Sequence, residues 1–189
     1  FRLTDPALAG LQDDLVELLE RIRSPEASPS SESLLECSME AIALFPVAAR
    51  SLVGFARDRA ELSERLPERM DWFKRLRERK DLKEAGMGAD AFKDEDLADI
   101  ARLLEESSDR LVPEFAAAKV RMVALGNQLA GLPLPEGRSL LAAETTGFSS
   151  LMLELSLARA SARLESIVMK EVRVEAEEAL EVARERRLD

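Results

Sequence analysis

Among side chains that do chemistry, this sequence offers 37 Asp and Glu residues, a single cysteine and no histidine. The missing histidine removes Ser-His and Cys-His nucleophilic systems, the usual zinc enzymes, di-iron bundles built on Glu-x-x-His pairs, and His-based phosphotransfer. Carboxylates are plentiful enough for an acid/base pair, yet no two are marked by spacing as facing each other across a cleft. The densest acidic run is Asp94, Glu95, Asp96 and Asp99. It lacks the glycine an EF-hand loop requires, so it reads as charge at the start of a helix. Cys37 lies beside Leu34, Leu35 and Met39 in a helical pattern and reads as a small buried hydrophobe. Lys119 and Lys170 sit on helices, where a snorkelling stem accounts for them more simply than a desolvated nucleophile. Gly86-Met87-Gly88 follows a helix rather than a strand, and no G-x-x-x-x-G-K-[ST] phosphate loop occurs. No catalytic, cofactor-binding or metal-ligating residues are therefore assigned, and the chain is expected not to be an enzyme.

The elements that would position any site are helices. Leu and Ala dominate and Tyr is absent, a stock of strong helix formers with little of what strands use. A net charge of −10 weighs against nucleic acid and makes membrane contact an unfavoured expectation. One cysteine rules out an intrachain disulfide framework, which fits a reducing, cytoplasmic location. The chain opens on Phe1 with no signal-peptide pattern and reads as a piece of a larger or processed protein. No uninterrupted apolar run reaches the roughly 18 residues of a membrane span. The nearest, Ala41 to Ala56, carries Arg50.

Thr4 or Asp5 caps a first helix that runs to Arg23, with Leu8, Leu11, Leu15, Leu18, Leu19 and Ile22 at helical spacing. A Ser/Pro linker occupies 24–33. A second helix begins near Glu32, is bent or broken at Pro46 and ends about Leu66, and Pro67 restarts a shorter one. A third starts at Asp94 and is kinked at Pro113. After the turn Gly131 to Gly137, a last helix starts near Arg138, weakened about Gly147. The expected fold is all-α: an elongated four- or five-helix antiparallel bundle with kinked helices and a long, coiled-coil-like C-terminal helix. It forms a single module, 1–189, with first helix 1–23, linker 24–33, bundle core 34–168 and extended arm 169–189.

From Ser150 to Asp189 there is no Pro or Gly, enough for a helix of about 60 Å. Steps of seven from Phe148 and Leu151 trace a narrow, Ala-rich seam through Leu155, Ala158, Ala162, Met169, Val172, Ala176, Ala179 and Ala183. These are the candidate partner-binding residues. A second stripe, Leu153, Leu157, Ala160, Leu164 and Ile167, lies on another side. Arg65 to Lys83 holds eight basic against four acidic residues, and Arg69, Trp72, Lys74, Arg75 and Arg79 form a candidate basic surface. An antiparallel neighbour over Asp94 to Glu114 would neutralise it within the chain.

The expectation is a non-catalytic interaction or scaffold module that binds another protein, or a second copy of itself, through its C-terminal helix. No cofactor, metal or nucleic acid is expected. One alternative is a ligand-sensing input domain of a receptor, with Thr145, Thr146, Ser149 and Ser150 as polar lining. A second alternative is a membrane-curvature module built from kinked helices.

Overall fold

The computed structural model describes residues 5–24, 30–78 and 94–167. Four long helices hold nearly all of them: α1 (Pro6–Arg23), α2 (Ser31–Glu78), α3 (Asp94–Gln128) and α4 (Leu134–Glu165). A short 3-10 turn, Leu129–Gly131, joins α3 to α4.

The pattern that makes these segments a bundle is a 3-4 alternation of apolar residues. In α1 the buried residues are Leu8, Leu11, Leu15, Leu18 and Ile22. In α3 they include Leu104, Leu111, Phe115, Ala118, Met122 and Leu125, and in α4 Leu141, Phe148, Met152, Leu155 and Ala162. A seam that averages 3.5 residues per step stays on one side of a gently supercoiled helix, which suits near-antiparallel packing at about 20°. All these residues join one core with Leu34, Ala41, Phe45, Ala48, Phe55 and Leu62 of α2. Each fully buried aliphatic side chain contributes about 1.5–3 kcal/mol before chain entropy is set against it.

Neighbours in sequence run antiparallel. Arg21 meets Glu40 at 2.5 Å between α1 and α2, and Arg121 meets Glu144 at 3.0 Å between α3 and α4. Between α2 and α3, Arg59 lies 4.0 Å from Glu105. The helices α2 and α4 run parallel and form the inner pair, each packing on every other helix, with α1 and α3 on opposite sides.

Local sequence accounts for the helix ends. Asp5 is the N-cap of α1, its carboxylate accepting from the Ala7 N–H at 3.0 Å, and Pro6 fills the first helical position. Ser30 caps α2 by accepting from the Ser33 N–H at 3.1 Å. Pro46 and Pro113 lie inside continuous helices, each removing one backbone donor. The expected restart at Pro67 is absent, because α2 continues through it for 48 residues, about 72 Å. The last helix starts at Leu134 rather than Arg138, with Pro135 accommodated in the first turn. It is unbroken at Gly147, where Thr145 and Thr146 hydroxyls donate to the Leu141 and Ala142 carbonyls at 2.8 and 2.7 Å.

The expected continuous run from Ser150 into the C-terminal arm is overturned, since α4 stops at Glu165. Arg69 of α2 explains the stop. Its guanidinium donates to the carbonyls of Leu164, Glu165 and Ile167 at 3.2, 2.8 and 2.9 Å, and it pairs with the Glu165 carboxylate at 2.7 Å. Carbonyls that a longer helix would occupy are thus satisfied from another element. The arm 169–189 lies outside the described residues.

One core position of α4 is charged. Arg159 is 6% exposed, and its guanidinium donates to Asp5, the α1 cap, and to Asp58 of α2 at 2.9 Å. Arg163 also donates to Asp58, at 3.0 Å. Gly54 makes the room: a Cβ there would stand 2.6 Å from Arg159 Nη2 and 2.8 Å from its Cζ. Gly54→Ala is therefore expected to lower stability by about 1–3 kcal/mol, because a pinned guanidinium must leave its carboxylates. Gly147→Ala, where nothing lies within 4 Å, should raise it by about 0.5–1 kcal/mol. Urea unfolding midpoints of the two variants check this opposition.

Cys37 is buried in the core, and that burial pushes its thiol up from the ordinary range. In the unfolded chain the thiol ionises first, so its contribution to stability is present at neutral pH and is lost as pH rises through the thiol range. Iodoacetamide at neutral pH should modify Cys37 much more slowly in the folded chain than in urea, as mass spectrometry would report.

Candidate functional site

The bundle leaves apolar surface that its own helices do not cover. An 18-residue window of α2 has a mean hydropathy of 1.5, so this helix is long and apolar enough to cross a membrane by length and composition. Only 28% of that window is buried. Its outward face carries Leu35, Met39, Pro46, Ala49 and Val53, with half-buried Ile42 completing a stripe that recurs every three or four residues. Val53 is 65% and Met39 55% exposed.

The neighbouring face of α3 carries a matching stripe, Val112, Ala116, Val120 and Val123, with Val120 at 69% exposure. Because α2 and α3 run antiparallel, the two stripes lie side by side. Between them is an open trough lined by Phe45, Pro46, Ala49, Leu52, Val112 and Ala116, with Lys119 on its α3 wall. Its floor is rigid. Phe45 stacks on Phe148 of α4 with centroids 4.1 Å apart, and Phe115 meets the same ring edge-on at 6.1 Å. Such pairs add about 0.5–1.5 kcal/mol each beyond area burial.

At one end the helices approach closely, where a Cβ on Gly126 would lie 2.8 Å from the buried Ser38 Oγ. Beyond the other end the seam turns polar, with Arg59, Ser63, Arg102 and Glu105 around a separate depression. From Met39 to Val53 the stripe spans about 21 Å, the length of four turns of a partner helix. Lys119, exposed on α3, is the charged residue of its lining.

The residues singled out in the sequence fall elsewhere. Leu155, Ala158 and Ala162 are buried within the bundle, so this part of the expected partner seam is spent inside the chain. A seam of small residues lets the inner helices approach closely, which is why it faces inward. Met169, Val172, Ala176, Ala179 and Ala183 lie outside the described residues. The second stripe of the same helix is the exposed one, with Leu153, Leu157 and Leu164 at 54, 62 and 49%. It is a single row along one helix.

The candidate basic surface is largely consumed locally. Arg69 is the internal cap of α4, with its guanidinium 5.6 Å from the Phe73 ring centroid. Lys74 pairs with Asp71 at 3.7 Å, and Arg75 Nε donates to the Asp71 carbonyl at 3.4 Å. Trp72 is half-buried and packs at 5.5 Å on Phe73, while Arg79 lies outside the described residues. The sequence points to neutralisation of Arg65 to Lys83 by the third helix, but Arg69 is neutralised by Glu165 of α4, and the Arg59–Glu105 contact to the third helix lies outside that segment.

Of the proposed polar lining, Thr145, Thr146 and Ser150 hydroxyls all donate back to carbonyls of their own helix, and Thr146 also accepts from Arg23 at 3.0 Å. Among the described residues, no group of three or more Cys, Asp or Glu side chains is placed to hold a metal ion. No family model, no curated protein and no solved structure matches this chain.

Proposed function

We propose that this chain is a helical protein-interaction module that takes an amphipathic partner helix into the trough between α2 and α3. The observation that carries this reading is the pair of exposed apolar stripes over the Phe45–Phe115 floor. A helix laid between two helices completes a local three-helix contact by the same ridge-and-groove packing that builds the bundle. The exposed valines and alanines are stiff or short, so little side-chain entropy is lost when they are covered. The trough lacks the several convergent polar groups that orient a small ligand, with Lys119 the one charged lining residue. The expected use of the C-terminal helix as the binding element is replaced in this proposal by α2 and α3, since the described part of that seam is core.

A library of stapled helical peptides selected against the folded chain tests the reading. Enriched sequences should carry apolar residues at i, i+4 and i+7, and amide chemical-shift changes should cluster at residues 39–53 and 112–123. The double substitution Val53→Asp with Val120→Asp should leave the unfolding midpoint within about 0.5 kcal/mol, since both side chains are exposed, and abolish that binding. Shift changes confined to Leu153, Leu157 and Leu164, or no enrichment, would overturn it.

A further inference from the structure

We infer that two copies of this chain pair through the outward row of α4, parallel and in register. The inference stands apart from the trough, which lies between α2 and α3.

That row is a heptad seam that the other described helices leave uncovered. Ser139, Ala143, Thr146 and Ser150 form its first half, and Leu153, Leu157, Ala160 and Leu164 its second, in steps that alternate four and three. It runs about 38 Å along one helix. All but half-buried Ala160 are exposed, and Leu157 stands at 62%. None is charged, in a chain where 34% of residues are.

The positions beside the seam are nearly as bare. On one edge stand Leu140, Gly147, Glu154 and Ser161, on the other Ala142, Ser149, Ser156 and Arg163. The two charges among them are matched within the chain, Glu154 by Arg110 and Arg163 by Asp58. The Thr146 and Ser150 hydroxyls donate to carbonyls of α4 at 2.7 and 3.0 Å, so covering them strands neither donor.

Charges beside a coiled-coil seam ordinarily select the partner and its direction. Here that code is missing, and nothing in the row rejects its own copy. Two chains of net charge −10 repel each other in general, so an uncharged face is where they can meet. The two halves of the row fix the direction. A parallel pair lays leucine on leucine and small residue on small residue, whereas an antiparallel pair lays leucines on Thr146 and Ser150. It would also turn the α1 flanks toward each other, where the exposed Asp13 and Glu20 outnumber Arg23. An anionic membrane fits less well, since the row carries no Trp or Phe and no cations on an acidic chain.

Light scattering coupled to size exclusion should show the mass doubling as concentration rises through about 10–100 μM, because a single-seam contact belongs with small, transient interfaces. Leu153→Glu, Leu153→Lys, Leu157→Glu and Leu157→Lys, all at exposed positions, should each be monomeric with unchanged helicity by circular dichroism. Mixing the Glu and Lys chains of either position should restore the dimer. Rescue at both positions requires a parallel pair, since an antiparallel one sets at most one of them against itself. A wild-type chain that stays monomeric would overturn the inference, as would a dimer that survives Leu157→Glu. Rescue at only one position, or at neither, would overturn the parallel register. A dimer dissolved by Val53→Asp with Val120→Asp, and not by the α4 variants, would overturn it in favour of the trough. A monomer in which a photocrosslinker at Leu157 captures residues 168–189 of its own chain would overturn it in favour of that segment.

Discussion

A guanidinium at a core position sets the level at which three of the four helices meet. Taking a cation out of water costs several kcal/mol, and Arg159 is tolerated only because Asp5 and Asp58 reach it and Gly54 has no side chain. Each of those conditions belongs to a different place in the chain. Asp5 is also the cap of α1, so the first turn of that helix is tied to the ion network and to its own backbone at once. A slip of α1 by one turn, which its repeating leucines alone would permit, would strand a buried charge. The network therefore supplies register where the apolar seam supplies adhesion.

The same network divides the molecule into unlike sides. Toward α1 and the far end of α4, Arg159 is buried against its carboxylates, and the Arg69 guanidinium closes the end of α4. Toward α3 the contacts are chiefly apolar, and the ion pairs made by Arg110 and Arg121 are exposed. The helix α2 faces both sides. Its inward residues fill the core, and it still carries a second apolar stripe that α1, α3 and α4 leave uncovered. A helix apolar over so much of its circumference is ordinarily surrounded by neighbours. The uncovered stripe is the physical basis for assigning this face to a partner.

Much of the fold was legible. Leu8, Leu11, Leu15, Leu18 and Ile22 mark α1 with its cap, and Pro113 was rightly placed inside one helix. Pro67 misled because a proline's local cost was set against no knowledge of the packing that carries α2 through it. The stop at Glu165 was invisible for the opposite reason: no breaker stands there, and the cause, Arg69, is 96 residues away along the chain. The last helix offered two apolar stripes of similar strength, and periodicity does not say which faces inward. Burial does, and it places the Ala-rich row inside. The trough was missed because a site shared by two helices is written in neither alone. Its signal was present in α2, where Leu35, Met39, Ile42, Pro46, Ala49 and Val53 repeat as a second row beside the core row of Phe45 and Phe55.

Site-specific photocrosslinking in cells that express the chain tests the central claim most directly. A benzophenone side chain placed at Ala116, in the trough, is compared with one at Leu157, on the exposed stripe of α4. The account predicts an adduct at Ala116 whose crosslinked peptide, read by mass spectrometry, is an amphipathic helix of another protein, and no such adduct at Leu157. Adducts at Leu157 with none at Ala116 would contradict it and move the functional face to α4.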